Sequence, residues 1–259
     1  MISEIALQQL LQENKELKDR LNLLESNKNK EILTYCFNQI SFSDLKNIVD
    51  IKPKLDYAKF DDWFNDKKIV LDNADTTFLQ NLIDKNVFYL DNYKEEDLKV
   101  KFIAPILNRI DFVNMDKEIR DFYDEGFFYQ TDQFILGGET DFVVAKGHFF
   151  PEQPYFFIQK FKRLKTAKDP VPQLLAELIA AVELNNFILI KGAFIIGAIW
   201  NFVILEKLDV NKYQYFVSKN YDCTDLEKLN GIYKNLLVVK QEILEYANEN
   251  KVSTALWAG

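Results

Sequence analysis

Asp141, Lys160, Lys162 and Gln173 are the residues of this chain whose types and spacing suit phosphate chemistry. They lie in three short runs: Gly137-Gly138-Glu139-Thr140-Asp141, then Gln159-Lys160-Phe161-Lys162, then Asp169-Pro170-Val171-Pro172-Gln173. An acid at the end of one strand, two lysines on one face of the next and an amide on the helix that follows can converge on one point. Carboxylate oxygens suit a hard cation such as Mg²⁺, which takes near-octahedral oxygen ligands. Such a cation polarises a phosphoryl group and lowers the pKa of bound water. A lysine supplies charge where negative charge develops. The pattern departs from such a site at Lys160, which stands where a second acid would serve.

The elements that must position these residues are legible in outline. Residues 127–134 alternate as a strand, Gly137-Gly138 signals a hairpin, and residues 140–146 form the return strand. A third strand covers 154–162, and the apolar stretch 172–185 predicts a helix buried against a sheet. Strands around 189–197, 200–206 and 213–218 follow, then a long helix from about Asp225 to Asn248. Upstream, residues 31–60 are expected to be helical, with Ser43-Asp44 as a cap, and Asp75 to Lys85 forms another helix. Residues 95–110 predict a helix with Leu98, Phe102, Ile106, Leu107 and Ile110 on one face, interrupted at Pro105. This order makes the chain α/β with a mixed sheet flanked by helices.

At the N-terminus Leu7, Leu10, Leu17, Leu21 and Leu24 fall on a and d positions of a heptad repeat, with Asn14 at an intervening a position. One Asn at an a position fixes register in parallel two-stranded coils, so a homodimer through a coiled coil is expected. The other reading is a lone amphipathic helix lying on its own domain. The domain boundaries that follow are 1–28 for the coil, 29–90 for a helical extension and 91–259 for the α/β domain.

The 259 residues carry 32 basic and 40 acidic side chains, a net charge of −8, which argues against indiscriminate binding to nucleic acid. A local basic surface remains open: Lys160, Lys162, Arg163, Lys165 and Lys168 fall within nine residues free of acids. They are either a solvated loop or a phosphate-contacting edge. No apolar run reaches the roughly eighteen residues of a membrane span, and no signal-peptide pattern is visible. Cys36 and Cys223 have no metal-binding spacing, and a reducing, cytoplasmic setting is expected. His148 is the sole histidine, which removes His-based triads and His-rich zinc sites. Gly137-Gly138 is not a phosphate loop, because no Gly-Lys-Ser/Thr follows it.

Five stretches together resemble the PD-(D/E)XK nuclease superfamily: Phe60-Asp-Asp-Trp-Phe, the run Glu95 to Leu107, Glu139 to Ala145, Tyr155 to Lys162, and Asp169 to Glu177. Tyr221-Asp-Cys-Thr-Asp-Leu is similar to relatives as well. The resemblance implies a restriction-endonuclease-like core and Mg²⁺-dependent hydrolysis of DNA phosphodiesters. It implies Asp141 as a metal ligand, Lys162 as the group that orients the attacking water, and Gln173 as a support from the helix. Glu95 or Glu96 would join the metal shell. Where relatives carry Glu in the triplet, this chain carries Lys160. A single positive charge about 4 Å from a divalent cation costs roughly 8 kcal/mol at an effective dielectric near 20. The site is therefore expected to be impaired. Some relatives move the second acid to the following helix, and Glu177, four residues after Gln173 and on its face, could then reach the metal position. Otherwise Glu177 is a polar break at the helix edge. The alternative function is a non-catalytic, dimeric module that binds DNA or protein.

Overall fold

Local hydrogen bonding sets the first elements. Ser41 Oγ accepts from the Asp44 N–H at 3.2 Å while Asp44 Oδ2 accepts from the Ser41 N–H at 2.9 Å. This reciprocal box opens helix α1, Phe42–Ile48. On either side of it run short strands, β1 (Leu33–Cys36) and β2 (Asp50–Lys54). Residues 31–60 are thus not one helix, and Ser41 rather than Ser43-Asp44 is the cap. Alternating side chains and the Pro53 ring favour extended backbone at β2, which pairs at the sheet edge where a missing N–H is tolerated. The computed structural model describes residues 32–65, 69–163 and 169–249, with Lys15, Leu17 and Lys18 near the N-terminus. Apart from those three positions the heptad segment lies outside the described residues, as do Lys165 and Lys168.

Asp72 caps the helix α3, Asn73–Asn86, by accepting from the Asp75 N–H at 2.7 Å. It follows a one-turn helix α2, Asp61–Phe64. The 95–110 stretch divides into α4 (Glu95–Leu98), a π-helical turn (Lys99–Ile103) and α5 (Ala104–Ile110). Pro105 has no N–H to offer the preceding turn, and the wider turn lies just before it.

The hairpin differs from its sequence signal. Strand β3 spans Ile119–Gln130 and β4 spans Phe134–Lys146, so Gly137 and Gly138 lie inside a strand. The turn is made instead at Thr131, whose Oγ1 accepts from the N–H groups of Gln133 and Phe134. The glycines are needed for close approach. A Cβ on Gly137 would lie 2.9 Å from Phe128 Cβ, and Gly138, at φ +143°, lies against Phe37 at the end of β1.

The remaining strands are β5 (Glu152–Lys162), β6 (Leu189–Ile196), β7 (Ile199–Asp209), β8 (Lys212–Val217) and β9 (Tyr221–Asp222). One mixed sheet runs β1-β4-β5-β6-β7-β8-β2, with β3 beside β4 and β9 beside β7. Both β1 and β2 belong to this sheet, so the 29–90 stretch is not purely helical. Helix α6, Val171–Asn185, crosses one face; its residues from Pro172 to Val182 are all buried. It fits closely because Gly192 on β6 leaves room for Leu178. Helix α7, Leu226–Glu249, serves the other face with α2, where the Trp63 indole donates to the Asn235 carbonyl at 2.9 Å. Trp63 packs edge-on against Phe157 and Phe202 of the sheet. Among the described residues no helix is long and apolar enough to cross a membrane.

Candidate functional site

Strands β4 and β5 pair antiparallel with Phe142 opposite Gln159, and beyond that pair they diverge. Asp141 sits at the divergence. Its Oδ2 accepts from the Phe161 N–H at 2.7 Å, so the carboxylate takes the ladder bond that the β4 backbone no longer makes. Its Oδ1 accepts from Lys160 Nζ at 2.8 Å. Lys160 lies on the same sheet face as Asp141 and as helix α6. There Glu177 Oε1 comes within 3.2 Å of the same ammonium, an ion pair without hydrogen-bond angles.

This group is buried. The side chain of Lys160 is 3% exposed, that of Glu177 0% and that of Asp141 19%. Burial works against the charge on Lys160, but Glu177 and then Asp141 outweigh it, and the net shift is upward, so the amine stays ionised. Burial pushes the Glu177 carboxyl up to about 8, against the pull of Lys160. Burial thus moves Glu177 toward its protonated form, while the Lys160 ammonium beside it pulls the other way. The Lys160 ammonium spares Asp141 and Glu177 the cost of standing as two unpaired buried anions. Gln173 Oε1, one helical turn earlier on the same face, has no hydrogen-bond partner among the described residues.

Lys162, two residues along β5, shares the face and pairs with Glu95 at 3.0 Å. Of the two acids at the start of α4, only Glu95 is drawn to the site, while Glu96 is exposed. Gln173 is buried, and its Nε2 donates to the Asn38 carbonyl at 2.6 Å, tying α6 to the turn after β1. The structure thus brings Asp141, Lys160 and Glu177 into one cluster, joins Lys162 to Glu95 beside it, and leaves Glu96 outside. Glu177 is no edge residue; it points into the cluster. His148 is half exposed and lies 3.4 Å from Glu118, away from these residues.

A divalent cation does not fit this arrangement. The space between Asp141 and Glu177 is filled by the Lys160 ammonium, both Asp141 oxygens already accept hydrogen bonds, and burial pushes the Glu177 carboxyl up. Mg²⁺ would need several oxygen ligands at about 2.0–2.1 Å there, with a cation as neighbour. The cluster is an ammonium balanced by carboxyl groups, with Lys162 and the exposed Arg163 beside it at the end of β5.

Sequence reasoning missed the neighbours on the next strands. Lys160 is in register with Phe194 and Lys162 with Ile196 on β6, and Phe194 is in register with Asn201 on β7. Phe194, Ile196 and Asn201 line a cleft of about 590 Å³ together with Lys54 at the end of β2 and Tyr57 after it. Only the strand alternation hinted at their shared face. No protein-family model matches the chain, and no curated protein matches it either.

Proposed function

We propose that the chain is a PD-(D/E)XK-type, restriction-endonuclease-like domain that binds nucleic acid without cutting it, the Lys160 ammonium standing where a divalent cation would sit. The observation that carries this reading is the position of Lys160 Nζ, 2.8 Å from Asp141 and 3.2 Å from Glu177. A lysine offers one charge and no open coordination position, so it can neutralise a carboxylate but cannot activate water as a metal does. The placement of Asp141 where two antiparallel strands part, with lysines on the next strand and Gln173 and Glu177 on the covering helix, supports descent from a cleaving ancestor. Lys162 and Arg163 at the rim supply contacts for phosphate oxygens. The net charge of −8 confines binding to such a local surface.

The heptad pattern of residues 1–28 supports a dimer through a parallel coil and a cytoplasmic setting as parts of this proposal, and sedimentation of the full chain as a monomer would end the dimer. Fluorescence anisotropy with labelled DNA tests the rest. Binding is expected to need no divalent cation, being at least as tight in EDTA as in Mg²⁺, and to weaken with salt. Replacing Lys162 and Arg163 by Ala should reduce the salt slope by about two. An affinity that appears only with a divalent cation, or no affinity at low salt, would count against the proposal.

A further inference from the structure

We infer that the cleft beside Lys160 and Lys162 is a stacking pocket for an unpaired nucleobase. This rests on the nucleic-acid reading above and names the part of the ligand that the domain takes hold of. The cleft opens on the same sheet face as Lys160, because the register Lys160–Phe194–Asn201 carries that face across three strands. Adjacent strands lie about 4.8 Å apart, so its floor begins one strand from Lys160 and reaches Tyr215 and Val217 on β8, three strands or about 14 Å away. Its volume, about 590 Å³, suits a base with its sugar.

The walls favour a flat, aromatic occupant. The Tyr57 ring stands at the mouth, 45% exposed, with Lys219 Nζ 5.2 Å from its centre. Phe194 and Tyr215 line the interior and are almost fully buried. The polar edge is an amide pair. Asn201 Nδ2 donates to the Ser218 carbonyl at 3.2 Å and to Asn220 Oδ1 at 2.8 Å. Asn201 Oδ1 and Asn220 Nδ2 are left without a partner among the described residues. One acceptor beside one donor matches the edge of a nucleobase. Among the described residues none that lines the cleft is acidic, although the chain has 40 acidic side chains. Lys54 lines the rim and Lys219 sits between two lining residues, so the charge suits a phosphate chain leaving the pocket.

The test compares three labelled ligands by anisotropy at one salt concentration: a short single-stranded DNA, a blunt duplex of the same length, and an abasic oligomer with the same phosphates. The single strand is expected to bind about tenfold more tightly than the abasic oligomer, in line with the usual worth of one stacked base. Tyr57→Ala should erase that difference, and Tyr57→Phe should keep it. Tyr57 is exposed enough that neither change threatens the fold, and an unchanged melting temperature checks this. Equal binding of the base-bearing and abasic oligomers would overturn the inference, as would full affinity in Tyr57→Ala. If the duplex binds while the bases of the single strand add nothing, the pocket falls and the nucleic-acid reading stands. If none of the three binds, both fall.

Discussion

Lys160→Glu exchanges the one cation of a buried cluster for an anion, and its effect can be worked out from the geometry. In the native chain the ammonium touches Asp141 at 2.8 Å and Glu177 at 3.2 Å, with 3% of its side chain exposed. Removing one partner from such a buried pair costs about 3–5 kcal/mol. Placing a carboxyl there adds repulsion, which protonation of Glu177 and of the new acid limits. For a domain of this size each kcal/mol lowers the melting temperature by about 2–4 °C, so the variant in EDTA should melt roughly 6–20 °C below the native chain. The substituted cluster then offers three carboxyl groups and no competing cation. A divalent ion at ten times its dissociation constant would restore about 1.4 kcal/mol, or several degrees. Thermal unfolding followed by circular dichroism, in EDTA and with Mn²⁺ or Mg²⁺, measures both effects. The native chain should show no shift with either ion. A native chain stabilised by Mn²⁺ as much as the variant, or a variant as stable as the native chain in EDTA, would refute the reasoning.

Three other outcomes follow from the same coordinates. Burial holds the Glu177 carboxyl at about 8 in the folded chain, above its usual value of 4.5. The folded state therefore keeps a proton that the unfolded chain loses between these values. The stabilisation is complete below about pH 4.5 and is lost as pH rises through 8, on the order of a few kcal/mol. Urea unfolding at pH 5 and pH 8 should show a steeper fall for the native chain than for Glu177→Gln, and parallel pH profiles would contradict this. Gly192→Ala puts a Cβ 2.9 Å from the Ile158 carbonyl and 3.0 Å from Leu178. It should lower the urea midpoint by an amount equivalent to about 1–3 kcal/mol, and an unchanged midpoint would show that α6 is seated more loosely. Cys36 is exposed, whereas Cys223 is buried, its thiol donates to the Ala198 carbonyl, and burial pushes that thiol up to about 12. A maleimide should label one thiol in the folded protein and two in urea, with Cys223 the one that waits for unfolding.

Much of the site was legible in the sequence because strand and helix periods are simple. Lys160 and Lys162 share a face by alternation, and Gln173 and Glu177 share one by helical spacing. Spacing could not choose between Glu95 and Glu96, since adjacent helical residues point in directions that only the packing of α4 decides. Nor could it show that Lys160 reaches both Asp141 and Glu177, which depends on how far β4 and β5 part. The hairpin was misplaced because Gly137-Gly138 reads as a turn, whereas these glycines admit Phe37 and Phe128 at close range. Strands β1 and β2 were hidden in a stretch whose apolar residues suit either period, and their partners lie far along the chain at Phe134 to Gly137 and Lys212 to Phe216. The cleft was hidden for the same reason: Tyr57, Phe194, Asn201 and Asn220 come from separate elements and meet only when the sheet forms.

The central claim is that an ammonium group occupies the cation position, and cleavage of supercoiled plasmid under a molar excess of protein tests it most directly. With Mg²⁺ or Mn²⁺ present, the native chain is expected to bind the plasmid and leave it supercoiled. Nicked or linear product that forms with the native chain and disappears in Asp141→Asn would contradict the account.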